Sequence, residues 1–122
     1  MVLADTSIWV NHFRRGDPAL AALLGEGAIL VHPFVIGELA CGRLHPRRDI
    51  LEHLTGLPRT IVASDDEALA FIEAHSLMGS GLGYVDVHLL AAARLSDVRL
   101  WTSDAALRRS AERLGLGFHS AS

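Results

Sequence analysis

Apolar and polar positions alternate along this chain in short blocks, and the blocks change period in a regular order. Val2-Leu3-Ala4 reads as a strand, and Thr6 or Ser7 can cap a helix running through Ile8, Trp9 and Phe13. Asp17-Pro18 is a cap followed by a first-turn proline, predicting a second helix that ends at Gly25. Ala28 to Val31 reads as the next strand. Pro33 opens a helix carrying Val35, Ile36, Leu39 and Ala40 before Gly42, and Pro46 starts a short helix ending near Gly56. Thr60 to Ala63 is a further short strand, and Ser64 with Glu67 three residues on forms a capping box for a helix reaching about His75. Met78 to Gly83 is a glycine-rich loop. Tyr84 to Leu95 is apolar on most sides, which suits a helix covered by its neighbours. A strand from Val98 to Trp101, a helix from Asp104 to Leu114 stopped by Gly115, and an extended piece at Phe118 close the chain. This alternation predicts one α/β domain over 1–122, a three-layer α/β/α sandwich round a mainly parallel sheet.

Composition supports that reading and narrows the function. With 122 residues, half of them apolar, the chain can bury its own core. No apolar stretch approaches the roughly 20 residues of a membrane span, and no secretory signal is visible, so a cytoplasmic location is expected. Cys41, the single cysteine, excludes an internal disulfide and a cysteine-based zinc site; its apolar helical setting predicts a buried, inert thiol. The net charge of −3 argues against holding nucleic acid by bulk electrostatics alone. All eleven basic residues are arginine, so chemistry that needs a lysine amine is absent.

The candidate chemistry lies in four acids placed at element ends or in apolar helices. Asp5 closes the first strand, Asp104 follows the strand ending at Trp101, and Glu38 and Asp86 lie inside otherwise apolar helical patterns. In an open parallel sheet the functional crevice lies at the carboxyl ends of the strands. Ionised carboxylates gathered there raise one another's pKa unless a cation compensates them. Oxygen-only ligands select hard ions, so Mg²⁺ or Mn²⁺ is the expected cofactor. Each acid also has a plainer reading. Asp5 and Asp104 could simply cap the helices that follow them, whereas Glu38 and Asp86 are harder to place as surface charges. Thr6, Ser7, Thr102 and Ser103 accompany the acids, either as helix caps or as donors to ligand-bearing water or phosphate. Arg14, Arg15, Arg43, Arg47 and Arg48 lie just beyond these helices, as helix-end charges or phosphate contacts. The seven histidines are scattered and form no helical pair at ligand spacing.

Taken in order, Asp5-Thr6-Ser7-Ile8-Trp9, Gly37-Glu38-Leu39-Ala40-Cys41-Gly42, Asp86 with Leu89 to Ala93, and Thr102-Ser103-Asp104 resemble the motifs of PIN-domain ribonucleases of the VapC toxin type. The resemblance spans nearly the whole chain. It implies that Asp5, Glu38, Asp86 and Asp104 surround one or two Mg²⁺ or Mn²⁺ ions, with Thr6 and Ser103 hydrogen-bonding the site. It implies a metal-dependent endoribonuclease acting on structured RNA such as transfer or ribosomal RNA. Such proteins form homodimers and are held inactive by a cognate antitoxin. An apolar groove would dock it, with candidates on the Trp9 and Phe13 helix and on the helix of Val35, Ile36 and Leu39. His88 departs from the pattern, where an apolar residue is more usual, and is expected to point away from the acids. Two other phosphoryl-handling folds fail on single residues. A phosphoacceptor receiver needs a lysine, and a haloacid-dehalogenase-like phosphatase needs an aspartate where Ser7 stands. The alternative that remains is a catalytically silent PIN-like module that binds protein or RNA.

Overall fold

The computed structural model describes residues 1–120. Its elements run β1 (Val2–Ala4), α1 (Thr6–Arg15), α2 (Pro18–Gly25), β2 (Ile29–Leu30), α3 (Pro33–Ala40), α4 (Arg47–Thr55), α5 (Asp65–Ala74), α6 (Tyr84–Ser96), β3 (Arg99–Trp101) and α7 (Ala105–Arg113). The strands form a parallel sheet in the order β2-β1-β3, with Leu3 opposite Leu30 on one side and Leu100 on the other. Parallel strands need crossovers, and the helices that supply them cover the sheet as the outer layers of an α/β/α sandwich. From β1 the chain moves to one neighbour and later to the other. That makes the carboxyl end of β1 the switch point where such sheets build their sites.

Helix starts follow local chemistry. Asp17 accepts the N–H groups of Ala19 and Leu20, at 2.9 and 3.1 Å, ahead of Pro18. Ser64 and Glu67 form the expected capping box on α5. The first helix differs from expectation: its cap is Asp5, whose Oδ1 accepts the Ile8 N–H, so neither Thr6 nor Ser7 caps it. In α6 every residue from Val87 to Ala93 is buried, as its nearly all-round apolar pattern requires. Asp97 ends that helix in the left-handed conformation, at φ 54°.

One expected strand is missing. In place of Thr60–Ala63 there is a single parallel bridge between Val31 and Arg59. The Val31 N–H donates to the Pro58 carbonyl and the Thr60 N–H to the Val31 carbonyl, and the ladder stops there. Pro58 has no N–H to extend pairing upstream. Downstream, the Ile61 N–H is taken by the Ser96 hydroxyl at 2.8 Å, and Ile61 and Val62 face solvent. The last expected piece does form: the Leu100 N–H donates to the Leu116 carbonyl and the Phe118 N–H to the Leu100 carbonyl across the Leu100–Gly117 bridge, at the opposite edge of the sheet. Cys41, expected to be buried, is exposed at the end of α3. Helix α3 turns Val35 and Leu39 inward, and position 41 falls off that stripe.

Candidate metal centre

Asp5 sits on the last rung of the sheet. Its N–H donates to the Trp101 carbonyl at 3.0 Å, while its side chain opens α1. It is only 5% exposed, and both carboxylate oxygens are held. The Ser7 hydroxyl donates to Oδ1 and the Thr102 hydroxyl to Oδ2, each at 2.5 Å. The same two hydroxyls accept in turn, Ser7 from the Ser103 N–H and Thr102 from the Asp104 N–H, both at 3.0 Å. Two side chains thus fasten the end of β1 to the turn between β3 and α7. Burial pushes the Asp5 carboxyl pKa up, and the hydroxyl and backbone bonds only partly offset it.

The other three acids arrive from separate elements. Glu38 stands exposed on α3, and its Oε1 accepts the Thr6 hydroxyl at 2.6 Å. Asp86, in the first turn of α6, reaches back so that Oδ2 accepts the Gly83 N–H at 3.1 Å. It is half-buried, at the margin of the core. Asp104 caps α7 through Oδ2, which accepts the Leu107 N–H at 2.9 Å. Asp5 and Asp104 thus both cap the helices that follow them. Burial raises the Asp86 pKa, the Gly83 N–H pulls it back, and the charges of Asp104, Asp5 and Glu38 raise it again. That mutual repulsion shows that the structure brings the four acids into one electrostatic neighbourhood.

Every one of these carboxylates already takes at least one hydrogen bond from the protein, so its orientation is set before any ligand arrives. An oxygen-only set with shared excess negative charge fits a hard divalent cation. Among the described residues, no three His, Cys, Asp or Glu side chains stand close enough together to hold an ion as placed. The Thr6 hydroxyl reaches Glu38, and Ser103 reaches Ser7 through its backbone N–H. The firmest holders of Asp5 are Ser7 and Thr102, two of the hydroxyls that the sequence motifs place beside the acids.

His88 is buried against the rings of Phe34 and Tyr84. It is not a satisfied core histidine, because neither ring nitrogen has a hydrogen-bond partner among the described residues. His32 is equally buried and caps α3, its Nδ1 accepting the Phe34 N–H at 3.0 Å. Arg47 is occupied as a helix-end donor to the Ala40 and Gly42 carbonyls. A groove of about 420 Å³ opens beside Glu38, lined by Val10, Phe13, Leu39, Leu44 and Ile50 with Arg14 and Arg43. Trp9 and Val35, expected as candidates for such a groove, are core residues instead.

Comparison with known proteins agrees with this geometry. The family model for the PIN domain matches residues 2–113. Ribonuclease VapC32 of Mycobacterium tuberculosis, found in two strains, is 39% identical over 117 residues, covering 95% of this chain and 94% of that protein. The crystal structure of PAE2754 from Pyrobaculum aerophilum superposes with a TM-score of 0.60, covering 93% of this chain and 85% of that one; at 17% identity this is a likeness of fold. Motif order, switch-point carboxylates and these similarities lead to one conclusion: the chain belongs to the PIN-domain family, in its VapC type.

Proposed function

We propose that this protein is a Mg²⁺- or Mn²⁺-dependent endoribonuclease, the toxin of a toxin–antitoxin pair, cutting structured RNA such as transfer or ribosomal RNA. The observation that carries the proposal is that Asp5, Glu38 and Asp104 are tied round the carboxyl end of β1 through Thr6 and Thr102, with Asp86 close enough to feel their charge. These four would hold the ion. When bound there, a divalent cation supplies Lewis acidity and lowers the pKa of water. The chain's own part is positioning. Ser7 and Thr102 favour the carboxylate form of Asp5 and fix its orientation, Thr6 holds Glu38, and the Gly83 N–H holds Asp86. Ser103 contributes the N–H that locks Ser7.

The groove beside Glu38 suits an antitoxin segment. Its apolar floor of Val10, Leu39, Leu44 and Ile50 would take the hydrophobic side chains, and occupation would cover the approach to Glu38. A cytoplasmic homodimer completes the proposal. Among the described residues no helix is long and apolar enough to cross a membrane.

The test is incubation of antitoxin-free protein with end-labelled total RNA in Mg²⁺, Mn²⁺ or chelator, beside an identically prepared Asp86→Asn control. Discrete metal-dependent cuts absent from the control are expected. Equal cutting by both proteins, or none by either, would overturn the nuclease reading in favour of a binding module.

A further inference from the structure

Helix α1 leaves the acids along a cleft of about 460 Å³, lined by Ser7, Ile8, Val10, Asn11 and Arg14 on the helix and by Ser103 across from it. That volume lies in the roughly 300 to 1,000 Å³ range of small-ligand sites. The near end of the cleft is joined to the carboxylates through bonds already described. The Ser7 hydroxyl donates to Asp5 Oδ1 and accepts the Ser103 N–H, so Ser7 stands one hydrogen bond and Ser103 two from Asp5. Asn11 and Arg14 follow Ser7 at helical spacings of four and three, which puts all three on one face of α1. Arg14 lies about 10 Å further along the axis than Ser7.

The far end of the cleft is polar and uncommitted. On α1 the side chains of Thr6, Ser7 and His12 hydrogen-bond within the described residues, and those of Asn11 and Arg14 do not. Among the described residues the ion pairs are His88 with Asp65 and His119 with Glu112, which leaves the Arg14 guanidinium without a carboxylate. A guanidinium presents a fork of donors that matches a phosphate. A primary amide presents a donor and an acceptor side by side, the pattern that reads the edge of a base. RNA whose cut phosphate lies among four carboxylates, on a chain of net charge −3, gains most from a cation just outside them. Arg14 supplies that charge on this side of the site.

We propose that the cleft is a nucleotide subsite next to the cleaved bond, in which Arg14 binds a neighbouring phosphate and Asn11 hydrogen-bonds the edge of the base. The proposal rests on the nuclease reading and adds to it two side chains that hold and select the substrate. Both position the RNA and take no part in the chemistry. Arg14 also borders the apolar groove beside Glu38, whereas Asn11 lines the cleft and not the groove.

The test measures binding of short fluorescein-labelled oligoadenylate, oligocytidylate and oligouridylate by anisotropy over a range of KCl, in chelator so that the strands stay intact. Wild type is compared with Arg14→Met, with Asn11→Leu and with Arg94→Met, a control beside Met1 and Val98 at the amino ends of the strands. Each variant is checked for a wild-type-like thermal transition. Arg14→Met is expected to lower the slope of log affinity against log salt by roughly 0.7, as the loss of one phosphate contact implies, while Arg94→Met keeps the wild-type slope. Asn11→Leu keeps the slope and nearly the shape. It is expected to bind the preferred strand about fivefold more weakly, or worse, and to shrink the preference among the three strands by the same factor. An Arg14→Met slope equal to that of wild type would overturn the subsite. So would wild-type affinity and preference in Asn11→Leu, or a wild type that binds none of the strands. Metal-dependent cleavage of total RNA by the same proteins separates the two readings. Variants that bind and cut like wild type reject the subsite alone; binding that depends on Arg14 and Asn11, by a wild type that never cuts, rejects the nuclease alone.

Discussion

Replacing His32 by asparagine removes a buried titratable ring while keeping a good helix-capping residue in place. His32 has no exposed surface, and its Nδ1 accepts the Phe34 N–H at the start of α3. Its proton therefore sits on Nε2. A second proton would land on Nδ1, break the cap and bury a charge. Burial first, and the neighbouring His88 second, lower the pKa from 6.5 to about 4. The folded value lies below the unfolded one, so between these two pH values the unfolded chain binds more protons. The stability due to neutral His32 is thus complete above pH 6.5 and is lost as pH falls toward 4. Each tenfold change in proton affinity is worth about 1.4 kcal/mol, so the loss reaches roughly 3 kcal/mol by pH 4. The raised carboxyl pKa values of Asp5 and Asp86 act the opposite way, favouring the fold as pH falls. Both proteins share them, so they cancel in the difference. Urea unfolding of wild type and His32→Asn across this window reads that difference directly. Any pH-independent cost of the smaller side chain appears as a constant offset. Wild type is expected to lose stability faster than the variant as pH drops, and parallel curves would refute the reasoning.

Other consequences follow from particular contacts. Thr102→Val deletes the donor to Asp5 Oδ2 and the acceptor for the Asp104 N–H, and is expected to lower stability by about 1.5 to 3 kcal/mol at neutral pH in urea unfolding; no change would show that Asp5 needs no hydroxyl partner. Leu54→Ala empties a site with no exposed surface and is expected to cost about 2 to 5 kcal/mol by the same assay. Cys41 is expected to react with a maleimide in the folded protein about as fast as in urea, followed by mass spectrometry; protection in the native state would contradict its exposure.

Much of this molecule is legible in the sequence because its elements announce themselves locally. Asp17-Pro18, the Ser64–Glu67 box and the apolar run from Val87 to Ala93 each specify a helix with few competitors. The four acids are legible for the same reason, since two end apolar strands and two interrupt apolar helices. What escapes is what depends on partners distant in sequence. Thr60 to Ala63 has the composition of a strand, yet Pro58 on one side and the Ser96 hydroxyl on the other end the pairing. Cys41 is exposed because of where the α3 stripe ends, which a local apolar count misses. Thr102 and Asp5 are 97 residues apart, and only the β1–β3 pairing makes them neighbours. The packing of Phe34 and Tyr84 on His88 likewise joins two helices whose sequences carry no mark of the contact.

The central claim is that four carboxylates form one cation site, and titration of Mn²⁺ into the protein by calorimetry tests it most directly. Wild type is compared with Asp5→Asn, Glu38→Gln, Asp86→Asn and Asp104→Asn, each confirmed as folded. Wild type is expected to bind Mn²⁺ at a site that every one of the four substitutions weakens. Binding unchanged by all four, or no binding to wild type, would contradict it.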